Sequence, residues 1–379
     1  MTDGATITAV GDHEAMRRRF PGAEPVDCAR GVLTPGLVDS HTHAIFGKPR
    51  HDEQELRAGG MDYMAIAAQG GGIHASVRDL RTRTEDDLVA LALPRLTRIA
   101  SYGATTVEVK SGYGLTVDDE LKSLRAIRRL AELTPLRLVP TFLGAHEIPV
   151  EARATPRGRL DYVELLRHEM IPRVAAGKLA AFADVFCEPG VFTIEESRSI
   201  LEVARAHGLG LKLHADELNP AGGAELAADL GATSADHLAA ISASGIAALA
   251  ASDTVATLLP GTMMFLGKPR QAPARDLINA GAAVALATDF NPGTSPTPNF
   301  PLILSLGVSQ LRMSVAEVVV AATVNGAAAV GLAHHIGQIA PGYSADLALF
   351  DIEDIRELPY WYGDRRCRAT WIRGVASPT

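Results

Sequence analysis

The chain has 379 residues, of which 47% are hydrophobic and 21% are charged, and its formal net charge is −8. This composition supports a large buried core, and it contains no basic block for nucleic acid and no basic amphipathic helix for a membrane surface. No stretch reaches the roughly 18 uninterrupted apolar residues of a membrane span. The first residues lack a signal-peptide pattern, and three isolated cysteines form no disulfide framework. We therefore expect a cytoplasmic protein.

Short apolar runs recur along the chain and are separated by longer segments with helical periodicity, such as 118–133 and 193–207. Alternating strands and helices favour parallel strands with right-handed crossovers, and eight such units close a barrel. We therefore predict an α/β fold, a (β/α)8 barrel of the TIM type. The predicted barrel strands are 32–39, 105–109, 137–142, 182–187, 209–213, 233–236, 254–259 and 283–288.

The two ends of the chain differ from its middle, because strand patterns return there without helices between them. Residues 5–10 are one such segment, and 345–351 and 369–373 are two more. We predict that both ends pair into one small β domain beside the barrel. The predicted domains are 1–31 with 336–379 for the small β domain and 32–335 for the barrel.

The first gap between predicted strands is unusually long, from 45 to 100, and it contains Gly70–Gly72. Three consecutive glycines fit a mobile surface loop, and they fit a loop whose backbone closely approaches a ligand equally well. The sequence leaves open whether this loop closes over a substrate.

His41 and His43 end the first predicted strand. Strand side chains alternate between faces, so both imidazoles point the same way and can reach one metal ion. A lone His-x-His pair is weak evidence, but His214 and Asp289 also follow apolar runs. Active sites of β/α barrels lie at the C-terminal ends of the strands. Three histidines and one carboxylate at such positions predict a catalytic metal site, against the alternative of separate histidines satisfied by backbone hydrogen bonds.

Two residues near these ligands have alternative roles. Asp289 can bind a metal through one oxygen and can also take a proton from a metal-bound water, whose pKa the metal lowers. His237 follows the sixth predicted strand and is either a fourth protein ligand or a hydrogen-bond partner of the water or substrate. We favour the second role, because a catalytic metal needs an open position. The donor set suits zinc, iron or manganese.

Several motifs in combination resemble the amidohydrolase superfamily. They are the segment Pro35–His43, the residues His214, His237 and Asp289, and the late segment Pro341–Leu347. Further segments narrow the resemblance to the imidazolonepropionase family within it. These are Gln69–Ile73, Glu108–Gly114, Thr141–His146, His214–Glu217 and Asp289–Thr294. The resemblance extends from about residue 31 to 350, most of the chain.

The resemblance implies hydrolysis of a carbon–nitrogen bond, in which water opens the ring of 4-imidazolone-5-propanoate to give N-formimino-L-glutamate in histidine degradation. It implies one divalent ion per chain, zinc or iron, and a homodimer. The metal ligands that it implies are His41, His43, His214 and Asp289, and the substrate contacts are Arg50, Tyr113, His146, Glu217, Asn291, Gly293 and Thr294. It also implies a longer N-terminal β segment than residues 1–31, so we expect the small β domain to be incomplete there.

The chemistry of the implied contacts fits such a substrate. The planar guanidinium of Arg50 suits a carboxylate, although sequence alone makes a solvated surface arginine the commoner case, and Tyr113 adds a hydroxyl. His146 can donate a hydrogen bond to the lactam oxygen as charge builds there. Glu217 can orient a ring nitrogen or relay a proton.

The other implied contacts lie in a turn. Asn291 and Gly293 follow Asp289 in an Asn-Pro-Gly sequence that favours a turn whatever its function. Their amide groups can bind the edges of the ring and the carboxylate. We predict Asp289, His237, His146 and Glu217 as the catalytic residues.

Lys110 raises the question of a second metal, because some amidohydrolases bridge two metals with a modified lysine. It follows the second predicted strand and fits the loop that contains Tyr113, so we predict one metal. The alternatives for function are a related deaminase, which would release ammonia, and another cyclic amide hydrolase. A metal-free barrel that serves as a scaffold is disfavoured, since all four implied ligands are present.

Overall fold

Fourteen strands are assigned in the part of the chain that this computed structural model describes, residues 1–61, 65–66 and 69–377. They are β1 (Thr2–Asp3), β2 (Thr6–Ile7), β3 (Val32–Pro35), β4 (Leu37–Asp39), β5 (Ala104–Lys110), β6 (Arg137–Ala145), β7 (Phe182–Cys187), β8 (Gly210–Ala215), β9 (Ser234–His237), β10 (Val255–Leu258), β11 (Val284–Leu286), β12 (Leu347–Phe350), β13 (Cys367–Ile372) and β14 (Val375–Ser377).

Strands β4 to β11 form one parallel sheet in chain order, which is the order of a β/α barrel. The sheet closes just beyond its first and last strands. The backbone N–H of His43 donates to Phe290 O at 2.8 Å, and that of Asp289 donates to His41 O at 3.0 Å. These bonds lie at the C-terminal edge of the strands. The predicted α/β barrel is confirmed.

Helices between the strands cover the outside of the barrel. The helix Val117–Leu133 illustrates how the sequence forms such a helix. Thr116 caps its first turn by accepting from Asp119 N, and the buried residues Leu124, Ile127 and Leu130 form one apolar stripe. The other helices are His13–Arg19, His51–Ala58, Ile73–Arg81, Glu85–Ala100, Val150–Arg153, Gly158–Leu165 with a π-helical continuation Leu166–Met170, Ile171–Ala176, Ile194–Ala206, Gly223–Asp229, Ala243–Ala250, Pro260–Phe265, Ala274–Ala280, Phe300–Ser309, Val315–Ala322, Val324–Ala329 and Glu357–Tyr360. Within the described residues, none of these helices has the length and apolar character that a membrane crossing requires.

A small antiparallel sheet, ordered β14-β13-β12-β3, joins the two ends of the chain. The prediction of a single strand over 32–39 was wrong, because Val32–Pro35 belongs to this sheet and Leu37–Asp39 to the barrel. Gly36 makes the crossing possible, since a Cβ there would lie 2.1 Å from Thr105 Oγ1. Strands β1 and β2 form a separate hairpin that pairs with the C-terminal part through a bridge from Thr6 to Ser344. The domain bounds given above stay a prediction.

Candidate active site

Three imidazoles and one carboxylate converge at the C-terminal mouth of the barrel. His41 Nε2 lies 3.3 Å from His43 Nε2, and Asp289 Oδ1 lies 3.6 Å from the first and 3.5 Å from the second. The His214 ring centroid is 4.6 Å from that of His41. All four side chains are buried. The structure therefore brings together the four residues that the resemblance implied as metal ligands.

Two buried carboxylates set the orientation of these imidazoles. His41 Nδ1 lies 2.7 Å from Asp236 Oδ2, and His214 Nδ1 lies 3.0 Å from Asp184 Oδ2. Asp236 accepts from His41 Nδ1–H, and Asp184 lies at ion-pair distance from His214 Nδ1, so both carboxylates favour the tautomer whose unprotonated Nε2 faces the cluster. Among the described residues, His214 Nε2 has no hydrogen-bond partner. Converging lone pairs and a carboxylate oxygen fit a divalent metal ion, because a cation relieves their mutual repulsion.

Beneath the imidazoles lies a fully buried layer of charged side chains, Glu108, Lys110, Asp184, Lys212 and Asp236. Lys110 Nζ is 2.8 Å from Asp184 Oδ2 and 2.9 Å from Glu108 Oε2, and Lys212 Nζ is 3.0 Å from Glu108 Oε1. Burial lowers the pKa of Lys110, but attraction by Asp184 and Glu108 outweighs burial and raises that pKa. The lysine is therefore a protonated partner of carboxylates.

The position predicted for Lys110 was wrong. It is the last residue of β5, and its side chain lies inside the barrel rather than in the loop that contains Tyr113. The sequence contains a local signal for this layer. Glu108 and Lys110 are two residues apart on an apolar strand, as are Lys212 and His214 on another. Such spacing puts both members of a pair on one strand face.

A cavity of about 710 Å³ opens above the cluster. Its lining includes six of the seven predicted substrate contacts: Arg50, Tyr113, His146, Glu217, Asn291 and Thr294. The seventh, Gly293, lies against Arg50, because a Cβ on Gly293 would be 1.5 Å from Arg50 Nη2. Gly71, from the glycine-rich segment, also borders the cavity.

Four imidazoles of this site, those of His41, His43, His146 and His237, are neutral. Burial lowers the pKa of His41, His43 and His237, and it lowers that of His146 to about 3 with a further contribution from His214. His146 Nδ1 lies 2.9 Å from Gly112 O, so the Nδ1–H donates to this carbonyl. The Nε2 of the neutral ring is then an acceptor. The predicted role of His146 as a donor to the lactam oxygen does not fit this tautomer, and an acceptor for a ring N–H does.

Glu217 and Asp289, which both line the cavity, differ in protonation. Burial, together with Asp289 and Glu188, raises the pKa of Glu217 to about 8. Burial raises the pKa of Asp289 to about 6, against a hydrogen bond that Thr262 Oγ1 donates to Asp289 Oδ2 at 2.5 Å. At neutral pH, Glu217 therefore keeps its proton, whereas Asp289 is mostly a carboxylate. Glu217 Oε2 lies 3.7 Å from His237 Nε2.

Two residues of the site have a strained backbone. Asp289 has φ +50° and His237 has φ +78°, a left-handed conformation that non-glycine residues rarely adopt. His237 is the last residue of β9, and Asp289 lies in the segment that follows β11. Strain of this kind persists only where the surroundings enforce it, and it is typical of functional sites.

Comparison with known proteins decides the family. The amidohydrolase family model matches residues 32–376. The imidazolonepropionase of Bacillus velezensis is 46% identical over 368 residues, which is 97% of this chain and 86% of the relative. This chain belongs to the imidazolonepropionases of the amidohydrolase family. The imidazolonepropionase of Geobacillus kaustophilus is also 46% identical, and the match covers 95% of this chain and 85% of that relative. The resemblance found in the sequence is confirmed.

A solved structure adds evidence on the fold. An atrazine chlorohydrolase from Arthrobacter aurescens, complexed with zinc and atraton, has a TM-score of 0.70 to this amidohydrolase. The match covers 99% of this chain and 89% of that one at 16% identity. At this identity the likeness shows the shared fold alone.

Proposed function

We propose that this amidohydrolase adds water to 4-imidazolone-5-propanoate and opens its ring to give N-formimino-L-glutamate. The observation that carries the proposal is that His43, His214 and Asp289 of the cluster line the same cavity as the buried guanidinium of Arg50. The cluster suits hydrolysis of a ring amide, and the guanidinium suits the carboxylate of the propanoate. Near-full-length similarity to imidazolonepropionases supports this substrate over other cyclic amides.

His41, His43, His214 and Asp289 would hold one divalent metal ion, zinc or iron. The support is the buried Nε2 of His214, which has no hydrogen-bond partner among the described residues, and the pair of facing Nε2 atoms on His41 and His43. A metal bound there lowers the pKa of water and polarises a carbonyl oxygen. Zinc is present in the structure of the atrazine chlorohydrolase described above. The protonated state of Lys110 supports a single metal, because a bridging lysine must lose its proton to be modified.

Asp289 accepts the proton of the attacking water. Thr262 donates to Asp289 Oδ2, so Oδ1 is the oxygen that faces His41 and His43. The water oxygen bonds to the ring carbonyl carbon, and the bond from that carbon to the ring nitrogen breaks. Glu217, which keeps its proton at neutral pH, donates to the leaving nitrogen and recovers a proton from Asp289. His237 lies between the cluster and Glu217, where it can position the water.

Arg50 binds the carboxylate at the other end of the substrate. Its Nε and Nη1 are buried, and neither forms a hydrogen bond within the described part of the chain. A buried guanidinium without a full set of acceptors favours an anion, because the charge is otherwise poorly compensated. His146 Nε2 accepts from a ring N–H, and the Asn291 turn borders the same cavity.

The test is turnover of freshly made 4-imidazolone-5-propanoate by the purified protein, with metal content measured on the same sample. We expect ring opening with about one metal per chain. Release of ammonia would instead identify a deaminase, and bound metal without turnover would direct the search to other cyclic amides. Protein that shows neither metal nor turnover after metal is added back would favour the scaffold alternative. We also infer a homodimer from the family resemblance, and sedimentation velocity tests it.

A further inference from the structure

The guanidinium of Arg50 lies beside a buried carboxylate of the protein itself, that of Glu53. Glu53 lies on the helix His51–Ala58, and only 8% of its side chain is exposed. Its Oε2 is 3.7 Å from Arg50 Nε, and its Oε1 accepts a hydrogen bond from Gly72 N at 2.7 Å. One carboxylate therefore connects the arginine of the cavity with the glycine-rich segment.

The other side of the guanidinium is fixed by Gly293. A Cβ on Gly293 would lie 1.5 Å from Arg50 Nη2, so the absence of a side chain there makes room for the arginine. Arg57 Nη2 donates to Gly293 O at 3.2 Å, and Arg57 Nη1 is 3.9 Å from Glu53 Oε2. Glu53 and Gly293 thus confine Arg50 from two directions and leave its remaining N–H groups to the cavity.

The buried guanidinium of Arg50 has N–H groups that a substrate carboxylate can use. Its Nε lies 3.7 Å from Glu53 Oε2, and neither Nε nor Nη1 forms a hydrogen bond within the described residues. A buried charge is costly unless an opposite charge and hydrogen bonds compensate it. A substrate carboxylate can supply these hydrogen bonds. The Glu53 carboxylate also limits how the guanidinium can turn, and binding then loses less side-chain entropy.

We propose that Glu53 is a positioning residue that orients Arg50 for the substrate carboxylate and is itself anchored by Gly72 N. The proposal rests on the proposed function, because it assumes that Arg50 binds the propanoate end. Glu53 can affect anion binding in two opposite ways. If it only neutralised Arg50, it would weaken anion binding, and its removal would tighten binding. If it positions Arg50, its removal weakens anion binding.

The test compares Glu53→Gln with Glu55→Gln, which changes an exposed glutamate of the same helix. Binding of imidazole-4-propanoate, which keeps the ring and the carboxylate but cannot be hydrolysed, is measured by calorimetry. Binding of 4-ethylimidazole, which lacks the carboxylate, is measured in parallel. For Glu53→Gln we expect imidazole-4-propanoate to bind about 10-fold more weakly, KM for the substrate to rise by a similar factor and kcat to change less than about twofold. Binding of 4-ethylimidazole by that variant, and all behaviour of Glu55→Gln, should match the unmodified protein.

Equal or tighter binding of imidazole-4-propanoate by Glu53→Gln would overturn the proposal, and so would an equal loss with both probes, which indicates a merely structural role. An unmodified protein that does not bind imidazole-4-propanoate at all would count against the proposed function itself. Glu53→Asp serves if Glu53→Gln does not fold. Its shorter side chain cannot reach both Gly72 N and Arg50, so we expect the same selective loss. In the Arg50→Ala background, Glu53→Gln should have no further effect on imidazole-4-propanoate.

Discussion

Two sides of the cavity are built in different ways. The proposed metal cluster of His41, His43, His214 and Asp289 lies on strand β8 or in the segments that follow β4 and β11. Asp236, Asp184 and Thr262 contact three of its four members. The Arg50 side consists of a helix start, a glycine-rich segment and a turn, joined by Glu53. The closed barrel fixes the first side, whereas loops and short helices carry the second.

The difference between the two sides suggests a division of labour. Reacting groups need positions that are fixed to within a fraction of an ångström, which packed strands provide. Recognition of a distant carboxylate tolerates more adjustment, and loops provide it. Changes at the metal cluster should therefore lower kcat, and changes at the Arg50 side should mainly raise KM.

The largest expected effect is at Asp289. Asp289→Asn removes the proton acceptor, and we expect kcat to fall by about 10²- to 10⁴-fold while the fold is retained. Steady-state kinetics with freshly made substrate and circular dichroism measure the two quantities. Asp276→Asn, on an exposed helix position, is the matched control. Near-normal turnover by Asp289→Asn would remove this residue from the mechanism.

A smaller loss is expected one layer deeper, at Asp236. Asp236→Asn replaces the charged acceptor of His41 Nδ1–H by a neutral amide, so the tautomer of His41 is less well fixed. We therefore expect metal affinity to fall by about 10- to 100-fold. Competition with a coloured chelator measures the affinity. Asp229→Asn, at an exposed position, should leave affinity unchanged. Unaltered affinity in Asp236→Asn would contradict the orienting role.

On the other side of the cavity, Arg50→Ala should raise KM by about 10- to 100-fold with a small change in kcat, since one charge-assisted contact to a remote carboxylate is lost. Initial rates over a wide substrate range separate the two constants. Arg30→Ala changes an arginine whose side chain is 84% exposed and should behave as the unmodified protein. If KM stays the same in Arg50→Ala, the comparison between the two sides fails.

The smallest expected effect lies outside both regions and tests stability alone. Arg275 and Ser314 hold the pKa of Glu317 down at about 2 in the folded chain, against an ordinary value of 4.5. This stabilisation is present above pH 4.5 and is lost as the pH falls towards 2. Glu317→Gln should therefore lose at most about 1 kcal/mol at pH 7 and almost nothing at pH 2, as for a surface ion pair. Urea unfolding at both pH values measures this, and an equal loss at both would be inconsistent with the ion pair.

Much of the fold and the convergence of four site residues could be predicted, because strand ends carry a local signal. His41 and His43 share a strand face, and His214 and Asp289 follow apolar runs, so the barrel pattern alone predicts that they meet. Strand β9, Ser234–His237, matches the predicted run 233–236 closely for the same reason.

Other features depend on contacts between distant segments and could not be predicted. Nothing local indicates that Val32–Pro35 pairs with the C-terminal strand β12 rather than with the barrel. Two of the three carboxylates around Lys110 Nζ, Asp184 and Asp236, lie on other strands, so the spacing of Glu108 and Lys110 alone does not reveal the full charged layer. The tautomer of His146 depends on a carbonyl 34 residues away, that of Gly112.

The hydrogen bonds that close the barrel also have a consequence for folding. Asp39 accepts from Thr288 N and Oγ1 at 3.0 and 2.7 Å, across 249 positions of sequence. Next to this contact, the backbones of His41 and Asp289 are bonded to each other. The residues that fasten the first strand to the last are thus the site residues or their neighbours. The donor set is complete only once nearly the whole barrel has formed, so a half-folded chain has no means of capturing the ion.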